Sequence, residues 1–135
     1  MKRIFSSYYS GGAVNTGMLV LRLGLGILMV HHGFNKLVDF NDTARTMPNI
    51  LGLGGNINAS LVIFAEFFCS MFLIIGLFTR LACVPLIITM GVAVVKSHHS
   101  NVFGEGELPA LYLAGYITLL FIGPGRVSID AMIGK

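Results

Sequence analysis

The sequence predicts an all-α integral membrane protein, a four-helix bundle with both termini cytoplasmic. Three observations carry this. The 135 residues are 55% hydrophobic and only 11% charged, with mean hydropathy +0.82, whereas a soluble domain carries roughly a quarter of its residues charged. The apolar residues gather in four runs able to cross hydrocarbon as helices of ~17–25 residues. The Lys and Arg residues fall unequally on the two sides of those runs.

The spans are expected at 17–38, 61–78, 81–97 and 108–123, within one domain that occupies the whole chain. No cleavable signal peptide is expected, because the first long apolar run begins near Met18 and no small-residue cleavage motif follows it. The stretch 41–60, with Asn, Gly and one Pro, contains Met47-Pro-Asn-Ile-Leu-Gly-Leu53 and reads as an interfacial or re-entrant loop. Phe78-Thr-Arg80 reads as a tight turn, and 98–107 as a short polar connection. Pro85 falls early in the third span, where a helix tolerates it. His31-His32 closes span one and His98-His99 closes span three, an echo consistent with two parallel helical hairpin repeats.

Orientation follows from the basic residues. Lys2, Arg3, Arg22, Arg80, Arg126 and Lys135 lie on one side, and Lys36, Arg45 and Lys96 on the other. The richer side is cytoplasmic. Asp39, Asp42, Glu105 and Glu107 lie in the outer loops and agree with this.

One acidic residue, Glu66, interrupts the second span. A carboxylate at that depth costs several kcal/mol unless it is paired, protonated or facing a cavity, so it marks a site. On span one, Arg22, Gly26, Met29, His32, Gly33 and Lys36 share about 120° of arc at ~100° per residue, a polar, glycine-bearing stripe that should face the bundle. His31 falls on the opposite side, so His32 is the expected functional histidine. At ~1.5 Å per residue, His32 and Glu66 each lie about 8 Å below the outer ends of their spans, and Tyr112 about 6 Å below the end of span four. Lys96 and His99 share a face at the outer end of span three. Cys69 and Ser70 continue the Glu66 face. The candidate ligand-binding set is therefore His32, Lys36, Glu66, Lys96, His99 and Tyr112. The competing reading is a structural ion pair between Glu66 and His32, Lys36 or Lys96. Tyr112 and Tyr116 also read as packing aromatics.

The inner layer reads as structural. Arg22, Arg80, Arg126 and Asp130 gather at the cytoplasmic face, with an Arg22–Asp130 or Arg80–Asp130 pair expected to brace the bundle, and Ser128 or Asp130 able to cap a last helix.

Several chemistries are disfavoured. The basic residues are scattered, so no nucleic-acid partner is expected. Cys69 and Cys83 form no Cys-x-x-Cys motif. Glu-x-x-His is absent, which disfavours a di-iron carboxylate centre. His32, Glu66 and His99 could in principle hold one ion, but no metal is expected. No haem, flavin or iron–sulfur motif is present.

Taken in order, Arg22-Leu-Gly-Leu-Gly26, His32-Gly33 with Lys36, Glu66, Gly76-Leu-Phe-Thr-Arg80, Glu107-Leu-Pro109 and Gly123-Pro-Gly-Arg-Val-Ser-Ile-Asp130 resemble the DoxX family of small bacterial membrane proteins. The resemblance covers nearly everything after residue 17. It implies a multi-pass bundle in the bacterial cytoplasmic (inner) membrane and an association with oxidoreductase systems, quinone-linked in some relatives. It marks Arg22, His32, Lys36, Glu66 and Glu107 as family-pattern positions without fixed roles, Glu107 being taken here as structural. The expected function is thus an oxidoreductase-associated membrane subunit with a quinone-like or small-molecule site in its outer half, serving a soluble or membrane redox partner, with the lipid bilayer around it and homo-oligomers allowed. A small-solute or proton transporter, and an assembly subunit without its own activity, are the alternatives.

Overall fold

The computed structural model describes residues 4–46, 54–97, 103–104 and 106–134, and every regular element among them is helical. Helix α1, Gly11–Val38, begins where the Ser10 hydroxyl accepts a hydrogen bond from Ala13 N at 3.1 Å. It starts six residues earlier than the hydropathy predicts, because that cap, and no change in polarity, sets its start. Its 28 residues give a rod of about 42 Å, longer than the ~30 Å of hydrocarbon. Its buried residues, Met18, Arg22, Gly26, Met29 and Gly33, recur at three- and four-residue spacing and form a single stripe.

Helix α2, Phe40–Thr46, is short and follows α1 closely. Helix α3, Gly55–Ile75, takes in residues 55–60, which the sequence assigns to a loop. Those residues are polar but helix-compatible: the Ser60 hydroxyl donates back to Asn56 O at 2.8 Å, and Asn58 is buried. The expected interfacial piece 47–53 lies outside the described residues. Midway along α3, Phe64–Cys69 forms a wide π turn that carries Glu66. Helix α4, Thr79–Val92, continues through Pro85 and ends in a second wide turn, Ala93–Ser97. Helix α5 is Glu107–Ile122 and helix α6 is Ile129–Ile133.

By length and composition α1 and α3 can each cross a membrane, and α4 and α5 are shorter apolar helices. The most extensive pairing joins α1 to α3, and α4 lies mainly along α5. Between them lies a core of Met18, Met29, Leu73, Leu86, Met90 and Leu119, together with Cys69, Cys83, Tyr112 and Tyr116. His98 and His99, the second half of the histidine echo, lie outside the described residues.

One end is tied together by the segment that joins α5 to α6. The buried Arg22 guanidinium donates from Nη1 to Pro124 O at 2.7 Å and from Nη2 to Val127 O at 2.6 Å. Asp130 accepts from Phe78 N at 2.7 Å and Thr79 N at 2.8 Å, capping α4, while its own N–H donates to Gly76 O at 2.8 Å. Arg80 donates weakly to Phe121 O and Ile122 O at 3.5 and 3.4 Å. The brace therefore exists, but the expected Arg22–Asp130 and Arg80–Asp130 ion pairs do not form. Carbonyls of the segment after α5 take Arg22, carbonyls at the end of α5 take Arg80, and open amides at the start of α4 take the aspartate. Ser128 caps α6 through Ala131 N at 3.1 Å. Arg126 is exposed and joins through its backbone N–H to Asn15 Oδ1 at 3.0 Å.

Gly76 sits at φ +73°, and a Cβ there would lie 2.5 Å from Ser128 Cβ. Gly76→Ala is therefore expected to lower the melting temperature in detergent. Left-handed strain accounts for about 1–2 kcal/mol, and displacement of Ser128 adds to it. An unchanged melting temperature would refute this. Asp130→Ala should cost about 0.5–2 kcal/mol by removing the α4 cap, read in the same assay.

Candidate functional site

Glu66 is 3% exposed and sits on the wide turn of α3. Such turns add a residue to the helix and redirect the side chains around it, often at functional sites. The turn is pressed against α1 at Gly33, where a Cβ would lie 2.7 Å from Phe67 N and 2.8 Å from the Glu66 carbonyl carbon. Only glycine permits this approach, which brings the next turn of α1 within reach of Glu66.

That turn supplies Lys36. Its Nζ lies 2.7 Å from both carboxylate oxygens, donating a hydrogen bond to Oε1 and pairing by charge with Oε2. The Lys36 side chain is 34% exposed and the Glu66 side chain 4%, so the pair joins the rim to the interior. Among the described residues this is the ion pair within 4 Å. Thr43 of α2 donates to Lys36 O at 3.3 Å and steadies the end of α1.

Inward from the pair lie two tyrosines of α5. Tyr112 is 5% exposed, Tyr116 is fully buried, and their rings stack 6.0 Å apart at 21°. Both hydroxyls lie within electrostatic reach of Glu66, and Ser70 adjoins the Tyr116 hydroxyl. Ser70 Oγ and Tyr116 Oη are within hydrogen-bonding reach of each other, but not at well-formed geometry, and have no other partner among the described residues. Buried polar atoms are nearly always satisfied, so a group of open ones needs an explanation. Ser70 Oγ and Tyr116 Oη form that group here, beside Glu66. Arg22 Nε and Thr79 Oγ1 are also unpaired, on the residues of the Pro124–Asp130 brace. Cys69 and Cys83 are buried free thiols of the same core.

The expected site is thus partly assembled. Lys36, Glu66 and Tyr112 come together. His32 is exposed and meets the Tyr112 ring edge-on, at 6.3 Å and 87°, without bonding to Glu66. The basic partner of Glu66 is therefore Lys36 and not His32: the lysine stem spans the extra turn that an imidazole cannot. His31, on the other side as expected, lies 3.3 Å from Asn35 Nδ2. Lys96 belongs to the wide turn Ala93–Ser97, and His99 lies outside the described residues. Glu107 is exposed at the start of α5. No cluster of three His, Cys, Asp or Glu side chains able to hold a metal occurs among the described residues. Tyr116 and Ser70 were missing from the expected set. Their spacing, four residues beyond Tyr112 and Glu66 respectively, was the available signal.

A family model described as DoxX matches residues 17–99. The chain is 27% identical over 133 residues to Inner membrane protein YphA of Escherichia coli (strain K12), covering 91% of this chain and 95% of that one. It is 29% identical over 129 residues to Inner membrane protein YqjF of the same strain, covering 90% and 95%. It is 27% identical over 133 residues to Uncharacterized membrane protein Rv3486 of Mycobacterium tuberculosis (strain ATCC 25618 / H37Rv), covering 87% and 82%. No solved structure matches the chain.

Proposed function

The chain belongs to the DoxX family and is an inner-membrane protein, and from that premise we propose that its outer half binds the polar head of a quinone-like amphiphile for a partner oxidoreductase. In this reading all four long helices cross the bilayer as a bundle with both termini cytoplasmic. The observation that carries the reading is a pair of buried hydroxyls without a well-formed hydrogen bond, Ser70 Oγ and Tyr116 Oη, beside the Lys36–Glu66 ion pair. A structural brace needs the ion pair alone. A binding site needs the open donors and acceptors as well.

The donor set fits such a head. The hydroxyls of Ser70 and Tyr116 can donate to a ring carbonyl, and Glu66 Oε2 can accept from a ring hydroxyl. A bound quinone would supply two-electron, two-proton chemistry. The chain supplies placement and protons: Lys36 keeps Glu66 oriented, and its exposed third connects the carboxylate to water at the outer face. Tyr112 walls the site from the side. Lys96 and His99 are assigned to its mouth on sequence position alone.

The test is binding to the intact protein in nanodiscs. Decylubiquinone is expected to raise the melting temperature in proportion to the logarithm of its concentration, and Glu66→Gln to abolish most of that shift. A wild-type melting temperature that does not respond to decylubiquinone, with no quinone in solvent extracts of the purified protein, would refute the proposal.

A further inference from the structure

The lipid-facing side of α1 is apolar at Val20, Ile27, Leu28 and Phe34 and carries His31, while His32 is exposed at the edge of that side, beside Tyr112 of α5. His31 has a polar partner in Asn35. His32 has none among the described residues; its contacts are ring edges, with Tyr112 at 6.3 Å and His31 at 6.4 Å. An unpaired imidazole within a spanning helix is costly and therefore marks contact with something polar that comes to it.

The ring contacts around it lead inward through Tyr112. Helices α1 and α5 close tightly at Gly115, where a Cβ would lie 2.7 Å from a Leu25 methyl. His32 stands seven residues, about 10 Å, further along α1. At that level the two helices meet through the His32 and Tyr112 rings. Tyr112 is the bridge: it touches His32 on the lipid side, stacks on Tyr116 inside, and lies in the field of Glu66. Beside it on α5, Leu108 and Leu111 are exposed and apolar.

Resting on the binding role argued above, we infer that the α1–α5 seam is a lateral portal, with His32 as its orienting group and Tyr112 as its gate. The ligand class this selects is an amphiphile with a flat, uncharged, hydrogen-bonding head and a hydrocarbon tail. The head takes a hydrogen bond from His32 in the bilayer, passes Tyr112, and reaches Glu66, Ser70 and Tyr116. The tail stays outside against Leu108 and Leu111. A water-soluble solute would instead approach past Lys36.

The test compares association rates in nanodiscs for decylubiquinone and for its tail-less parent benzoquinone, using wild type, His32→Leu and His31→Leu. His32→Leu is expected to slow decylubiquinone association at least fivefold, to slow its release comparably, and to leave the melting temperature without ligand unchanged. His31→Leu should behave as wild type, and the tail-less probe should be insensitive to both. Tyr112→Ala should speed both association and release. Unchanged rates in His32→Leu and Tyr112→Ala, with binding still lost in Glu66→Gln, would overturn the portal and leave the site standing. Absence of decylubiquinone binding in wild type would overturn both.

Discussion

Lys36→Met is expected to destabilise the protein by about 3 kcal/mol, the lower end of the ~3–5 kcal/mol that accompanies loss of one partner from a buried ion pair. The lower end applies because a third of the Lys36 side chain is exposed and water screens it there. The loss comes from the partner left behind: Glu66, 3% exposed, keeps its charge without its cation or takes up a proton. Adding Glu66→Gln to Lys36→Met should therefore restore most of the stability, a coupling that a double-mutant cycle of thermal unfolding in detergent measures directly. Additive losses would show that the pair is not the main interaction of Glu66.

Gly33→Leu is expected to be at least as damaging. Even a methyl at this position would lie within 3 Å of backbone atoms of Glu66 and Phe67, and backbone cannot rotate away as a side chain can. Overpacking costs typically ~1–3 kcal/mol and more where nothing yields. The displacement would also lengthen the Lys36–Glu66 contact, since Gly33 and Lys36 lie one turn apart on the same stripe. Yield of folded protein on size exclusion and the melting temperature should both fall. Gly24→Leu, at an exposed position with open space around it, should leave both near wild type. Equal behaviour of the two variants would contradict the close approach.

Much of this was legible in the sequence because the bilayer imposes simple rules. Hydropathy located the helices, although caps moved their ends: Ser10 set the start of α1, and helix-compatible polar residues carried α3 back to Gly55. A lone carboxylate in an apolar run located Glu66. The 3.6-residue period located the stripe through Arg22, Gly26, Met29 and Gly33, all of which are buried. The partners were less legible. His32 lies at the edge of that stripe, and its exposure depends on how closely α5 approaches, which no local pattern encodes. The choice of Lys36 depends on the wide turn at Phe64–Cys69, whose extra residue leaves no mark in an apolar sequence. Asp130 looked like an arginine partner because both are charged and near one face. Loop carbonyls after α5 took Arg22, and the unpaired amides at the start of α4 took Asp130.

The central claim is that the open oxygens beside Glu66 exist for a ligand and not for the fold. Tyr116→Phe separates the two uses, because it removes a buried hydroxyl that makes no well-formed hydrogen bond. Its melting temperature and its affinity for decylubiquinone are measured together on the same nanodisc preparation. The account predicts a melting temperature without ligand equal to or above that of wild type, with affinity weakened about five- to tenfold, the equivalent of one hydrogen bond worth ~1–1.4 kcal/mol. A lower melting temperature with unchanged affinity would show that the hydroxyl serves the fold, and would contradict the account.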